Sequence, residues 1–220
     1  MSSVYQPGHG HFRVDDPEAR MELERLAAVA PATLVSQGSA GFRVTLLPLL
    51  VETGADGAIV LHGHVARGNA QWRDALEGIA AVAILTGPQA YIHPRWYPSK
   101  AETEREVPTW NYVTVVASGR LRAVQDPAWL EAHVARLGDR HEAAFPDPWS
   151  ANEMAEGALS AQARAIVGLE LRVETLEAKR KLSQNRSAED AEGARAGLSA
   201  RSPMERAVAE EMGREAERGR

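Results

Sequence analysis

The sequence predicts a mainly β protein, an antiparallel β-barrel with peripheral helices. Three observations carry that expectation. Apolar and β-branched runs recur at short spacing, the turns between them are short and contain glycine, and few helical periods separate them. That pattern suits antiparallel strands closing on one another better than a doubly wound parallel sheet.

Taken in order, Asp15-Asp16-Pro17 reads as a helix start, a capping acid followed by proline in the first turn. Glu18 to Val29 is a short amphipathic helix closed by Pro31. Ala32 to Gln37 is a strand, Gly38 to Gly41 a turn, and Phe42 to Glu52 a second run that Pro48 interrupts, as on an edge or at a bulge. Ala58 to Val65 is a third strand, and Asn69 to Leu76 holds one or two helical turns. Ala80 to Thr86 and Ala90 to His93 read as two separate strands, followed by a proline-punctuated loop from Pro94 to Glu106. Thr109 to Val124 is the longest strand. Asp126-Pro127 opens a helix to about Glu142, Ala151 to Ala163 is helical, and Ala165 to Thr175 is the late strand that closes the sheet. Residues 1–186 make one domain. Residues 187–220, rich in Ala, Glu, Arg and Gly, read as a charged, weakly ordered or helical tail.

Composition narrows the chemistry. The 220 residues include no cysteine, which excludes disulfides, thiolate metal sites, iron–sulfur clusters and cysteine nucleophiles. The net charge of −5 argues against a whole-protein nucleic-acid surface. No apolar run approaches the ~20 residues that a membrane helix needs. Met1 to Gly10 lacks the order of a signal peptide, so a cytoplasmic protein without a membrane span is expected. No nucleophile–base–orienter set, Walker loop or G-x-G-x-x-G is present.

Three clusters stand out. Tyr91, Trp96, Tyr97, Trp110 and Tyr112 cluster in one stretch, alongside Lys100, Thr109 and Asn111. Such residues pack into a core or a subunit interface, or cover a flat ligand. His62 to Asn69 lies where a strand gives way to a short helix. Backbone N–H groups and Arg67 there suit a phosphate. His62 and His64 share a strand face, but spacing supplies no third ligand, so no metal site is assigned. Lys179 to Arg186 is a basic run after the last strand, suited to solvent, a cofactor, or a nucleic-acid phosphate.

With these clusters the sequence resembles the PaiB family of FMN-binding negative transcriptional regulators, also described as protease synthase and sporulation regulatory proteins. The resemblance rests on Tyr5, Pro7 and His11-Phe12, then Leu47 to Leu50, then Gly63 to Trp72. It continues through Gly87-Pro88, Ala90-Tyr91, Pro94 to Lys100, Val107 to Tyr112, Ile166 to Gly168, and Lys179 to Arg186. It implies an FMN-binding split barrel similar to pyridoxamine-phosphate-oxidase-like proteins, working as a homodimer with flavin at the interface. It also implies a flavoprotein repressor of degradative-enzyme or sporulation-type genes. By that resemblance Thr45, Leu46, Leu47 and Pro48 run beside the isoalloxazine ring. Gly63, His64, Arg67 and Asn69 hold the phosphate. Trp96, Lys100, Thr109, Trp110 and Asn111 face the flavin, and Lys181, Ser183, Gln184 and Asn185 close the pocket. The chain departs from the family at Leu46, where the family carries a histidine. An imidazole hydrogen bond to flavin or substrate is therefore missing. No catalytic residue follows from the sequence. With no DNA-reading element recognisable, any regulation is expected to be indirect and direct DNA contact stays open. The alternatives are an FMN-dependent oxidoreductase acting on a small substrate and, behind it, a haem protein ligated by His62, His64 or His93.

Overall fold

The structure, a computed structural model, describes residues 12–14 and 16–218. The expectations for Tyr5, Pro7, His11 and the capping residue Asp15 lie outside the described residues. Among the described residues eight strands occur: β1 (Arg13–Val14), β2 (Ala32–Gly38), β3 (Gly41–Leu47), β4 (Leu50–Thr53), β5 (Ile59–Ala66), β6 (Ile79–Ile92), β7 (Thr109–Val124) and β8 (Ile166–Lys181). Seven α-helices accompany them: α1 (Asp16–Val29), α2 (Gln71–Asp74), α3 (Lys100–Thr103), α4 (Pro127–Glu142), α5 (Ala158–Ala163), α6 (Ala188–Ser199) and α7 (Pro203–Arg218). Strands neighbour one another in the order β3-β2-β6-β7-β8-β5-β4, with β1 added to β8. Every pairing with a defined register is antiparallel. The protein is mainly β with peripheral helices, as expected.

The chain divides into two compact units. One comprises residues up to Ala19, Thr86–Val115 and Glu177 onward; the other comprises Arg20–Leu85 and Val116–Leu176. In the second unit Gly38 and Gly41 face each other across the β2–β3 turn, and β4 and β5 form a further hairpin. Gly41 has a φ of 103°, which a side chain resists. Pro48 ends β3 and the chain resumes as β4, so the interrupted run becomes two strands. The core follows the period of two. On β7, Val113, Val115 and Ala117 are buried, while Tyr112 and Thr114 are half-buried. The Asp126 carboxylate caps α4 by accepting from the Trp129 N–H at 2.7 Å, and Pro127 occupies the first turn.

Four expectations change. β6 is one strand and not two: it passes through Gly87-Pro88 because β2 pairs only with Ala81 to Ile84, so Pro88 removes no bond to that neighbour. The segment from Pro94 to Glu106 is not all loop: it holds a 3-10 turn at Pro94–Trp96 and then α3. The helical stretch at 151–163 divides into a 3-10 turn and α5, separated at Gly157, whose φ is 75°. β8 runs on to Lys181, past the expected end at Thr175. The basic run therefore begins inside a strand, and β1 pairs with it at Ala178 and Lys179.

The segment after Arg186 is helical. α6 starts on a Ser187 cap that accepts from the Asp190 N–H at 3.1 Å. α6 and α7 bury Ala194, Leu198, Val208, Ala209 and Met212. Gly193 and Gly197 of α6 lie against Trp96, where a Cβ would collide with its backbone and its indole. The Arg180 side chain is buried and ion-paired to Glu211 (3.0 Å) and Glu215 (2.9 Å) of α7.

Candidate functional site

The expected site residues fall into two groups, one in each unit. In the second unit β3, β5 and the turn after β5 bring several together. Asn69 Nδ2 donates to Thr45 Oγ1 at 2.9 Å. A Cβ on Gly63 would lie 2.7 Å from Leu47 Cδ1 and 2.9 Å from Leu49 Cδ2, so a side chain there would have to push both leucine side chains aside. Alternation along β3 sends Leu46 to the opposite face from Thr45 and Leu47. There Phe42, Val44 and Leu46 form a row, exposed at 74%, 64% and 66%.

The turn after β5 is partly braced. Arg67 donates to the carbonyls of Arg164 (2.9 Å) and Ile166 (3.1 Å) and to Gln125 Oε1 (3.1 Å). Its guanidinium thus fixes the turn to the start of β8. Gly68 is exposed, with nothing within 4 Å of an added Cβ, so an anion can approach its backbone.

His64 points away from this cradle. Its Nδ1 lies 3.1 Å from Nε2 of His133 on α4. His133 stacks on Trp129 with centroids 4.9 Å apart, and His62 meets the edge of Trp129 at 5.3 Å. His62 also lies 3.1 Å from Glu52 and 3.4 Å from Glu170. Trp129 in turn lies against Gly168, where an added Cβ would meet its indole. His133 Nδ1 is buried without a partner. The cheaper arrangement has His133 Nε2–H donate to His64 Nδ1, which leaves a bare lone pair there and not an orphaned N–H. Sequence reasoning found His62 and His64 and missed Trp129 and His133. The Trp-x-x-x-His spacing that places both on one helical face was their only signal.

This cluster has a pH consequence. Burial, then the neighbouring His64, His62 and Arg136, push the His133 pKa from 6.5 down to about 3. His133 is therefore neutral in the fold, and its contribution is complete above the unfolded value of 6.5. It is lost as pH falls from there toward the folded value, because the unfolded chain takes up a proton that the fold refuses. At pH 5 the loss is about 2 kcal/mol, a Tm drop of roughly 4–8 °C. Melting curves at pH 7 and pH 5 check this, and the His133→Phe variant should show a smaller drop.

In the first unit Thr109, Trp110, Asn111, Lys181, Ser183 and Gln184 meet. Lys181 Nζ donates to the Trp110 carbonyl at 2.6 Å and to Thr109 Oγ1. Asn111 Nδ2 donates to Ser183 Oγ at 3.0 Å and to Met212 Sδ at 3.4 Å. Ser183 holds a φ of 68°, a conformation uncommon for a residue with a side chain. Gln184 accepts from the Leu182 N–H at 2.7 Å and donates to the Arg180 carbonyl at 2.6 Å. Trp110 is 53% exposed, with Tyr91 edge-on at 6.2 Å. Asn185 is exposed on the turn. Two expected members are engaged elsewhere: Trp96 packs on α6, and Lys100 donates to the Glu104 carbonyl at 3.1 Å.

Comparison with known proteins identifies the family. Residues 5–175 match the family described as "Putative FMN-binding domain". The chain belongs to this FMN-binding family. Over 130 residues it is 33% identical to "Protease synthase and sporulation protein PAI 2" of Bacillus subtilis, which covers 58% of this chain and 59% of that protein. An uncharacterised protein of Aspergillus fumigatus is 29% identical over 165 residues, covering 60% of this chain and 63% of its own. The chain thus spans about three fifths of the length of these two relatives. In fold it is similar to the FAD and heme binding protein from Mycobacterium smegmatis, with a TM-score of 0.53 and 15% identity over 83% of this chain and 79% of that one. It is also similar to the flavocytochrome Anf3 from Azotobacter vinelandii, with a TM-score of 0.52 and 14% identity over 81% and 72%. FMN is the cofactor of the FMN-binding family. Within its own unit the open turn at Gly68 suits the anionic end of such a group, and within the other the exposed indole at Trp110 suits its flat ring.

Proposed function

We propose that this FMN-binding protein is a cytoplasmic homodimer of the PaiB type. In this reading it acts in negative control of degradative-enzyme or sporulation-type genes by a route that does not read DNA directly. What supports this reading most is that the motif residues fall into the two hydrogen-bonded groups, Thr45 with Asn69 and Thr109 to Asn111 with Lys181 and Ser183. When bound, FMN supplies one- and two-electron chemistry at its ring. Thr45 to Pro48 offer backbone groups to the ring, Leu46 adding methyl groups in place of an imidazole. The Gly63 to Asn69 turn offers Gly68 to the phosphate. Arg67 acts there as a brace, with charge to spare for the anion. In the other unit Trp110 offers an open aromatic face, while Asn111, Ser183 and Gln184 keep the 181–185 turn in shape.

The indirect route rests on charge. The chain carries −5 overall, and Arg201, Arg214 and Arg218 are ion-paired to Glu205, Glu211 and Glu18. Arginines neutralised in this way offer little to a phosphate backbone. Gel shifts on its own upstream DNA at two salt concentrations test this: no complex is expected. A complex whose affinity falls steeply with salt would overturn the indirect route.

A second reading, an FMN-dependent oxidoreductase acting on a small substrate, draws on the exposed Trp110 face beside Lys181. NAD(P)H consumption by the flavin-loaded protein with a panel of acceptors would support it. A flavin that no reductant reduces would exclude it.

A further inference from the structure

The turn after β5 keeps a donor open. The N–H groups of Arg67 and Asn69 are taken by the carbonyls of Ala165 and Ala66, each at 2.8 Å. Among the described residues the N–H of Gly68 has no partner, and nothing lies within 4 Å of a Cβ added there. Where this donor stands depends on α2, which follows it. α2 has only four residues, too few to hold a position by its own hydrogen bonds. Three side chains tie this segment to the β2–β3 hairpin. Asn69 donates to Thr45 Oγ1 of β3 at 2.9 Å, Asp74 pairs with Arg43 of β3, and Gln71 reaches β2. Gly38 ends β2 where the Asp74 carboxylate occupies the place of a Cβ.

The Gln71 tie is the buried one. Gln71 Nε2 donates to Ser36 Oγ at 2.9 Å and lies 3.5 Å from the Leu34 carbonyl, and both Gln71 and Ser36 are buried. The Gln71 backbone N–H donates to Asn69 Oδ1 at 2.9 Å, so the same residue steadies the side chain that reaches Thr45. Gln71 Oε1 is buried without a partner. An orphaned acceptor costs its desolvation, and a leucine facing an alanine would fill the same place without that cost. The amide is thus a poor choice for stability and a good one for direction. Its hydrogens fix the start of α2 at one height and one rotation over β2, which methyl groups do not.

We propose that Gln71 and Ser36 are positioning residues for the phosphate of FMN. They hold α2 against β2 so that the Gly68 N–H meets the anion. Both are too deeply buried to touch a ligand themselves. The inference rests on reading the turn from Gly63 to Asn69 as the phosphate site, and it assigns the preference for a phosphorylated flavin to a buried pair behind that turn.

The test compares FMN and riboflavin affinities, read by quenching of flavin fluorescence. The proteins are the unsubstituted full chain, Ser36→Ala, and the double variant Ser36→Ala with Gln71→Leu. The unsubstituted chain is expected to prefer FMN. Both variants should bind FMN about tenfold more weakly and riboflavin as before. The double variant should melt no lower than the unsubstituted chain, because both polar partners are removed together. A pair with a merely structural role gives a lower Tm with both flavins weakened alike, or no change in either affinity, and each of these results would overturn the proposal. So would a double variant that circular dichroism shows to be unfolded. Failure of the flavin reading has its own signature. An unsubstituted chain that binds neither flavin would end that reading and this proposal with it, whereas one that binds both equally would overturn the positioning role alone.

Discussion

Replacing Phe42 and Leu46 together by glutamate is expected to convert the proposed dimer into a monomer and to release FMN. β3 ends the sheet order, so among the described residues its far edge has no strand partner. Its outward face carries Phe42, Val44 and Leu46 in one row, all well over half exposed. A row of large apolar side chains on an edge strand invites association. Covering each one contributes about 1.5–3 kcal/mol. Two carboxylates facing their own copies across an interface would remove that contribution and add repulsion. Association should weaken by at least about a hundredfold, since 1.4 kcal/mol is a factor of ten. Flavin goes with the dimer because the family resemblance places it at the interface. Val29 is 75% exposed and stands on α1, off this row. Val29→Glu should leave both dimer and flavin intact. Sedimentation velocity with absorbance detection reads both properties at once. A double variant that stays dimeric would move the interface away from β3.

Glu211→Ala is expected to destabilise the fold by about 3–5 kcal/mol. Glu211 is 1% exposed and accepts from Arg180 at 3.0 Å; Arg214 also donates to it at 2.7 Å. Removing its carboxylate leaves Arg180 buried with Glu215 as its other carboxylate partner. Urea unfolding followed by circular dichroism reads this loss. A loss below about 1 kcal/mol would mean that α7 is held chiefly by Val208, Ala209 and Met212.

The fold was most legible where one local rule acted alone. The alternation of Val113, Val115 and Ala117 marks β7, Asp126-Pro127 opens α4, and the Gly38 to Gly41 turn joins β2 to β3. It was least legible where a partner decided the outcome. Pro88 looks like a breaker until β2 is seen to end before it. Lys179 to Arg186 looks like a solvated charge run until β1 pairs with Ala178 and Lys179 and α7 claims Arg180. Ser187 onward has the composition of a tail, yet Ala194, Leu198 and Val208 find a core that composition does not reveal. The candidate site shows the same division. The turn at Gly63 to Asn69 and the Thr109 to Asn111 segment are recognisable as strings. Spacing could not show that His64 turns to His133, that Trp96 is covered by α6, or that Arg67 spends donors on backbone carbonyls. Each of those outcomes depends on an element distant in sequence.

The central claim is that this chain holds FMN without the family's histidine at position 46. The most direct measurement is the visible absorption spectrum of the full chain after FMN is added and the excess removed by gel filtration. The account predicts a retained flavin band corresponding to about one FMN per chain. A protein that elutes colourless, as purified and after loading, would contradict it.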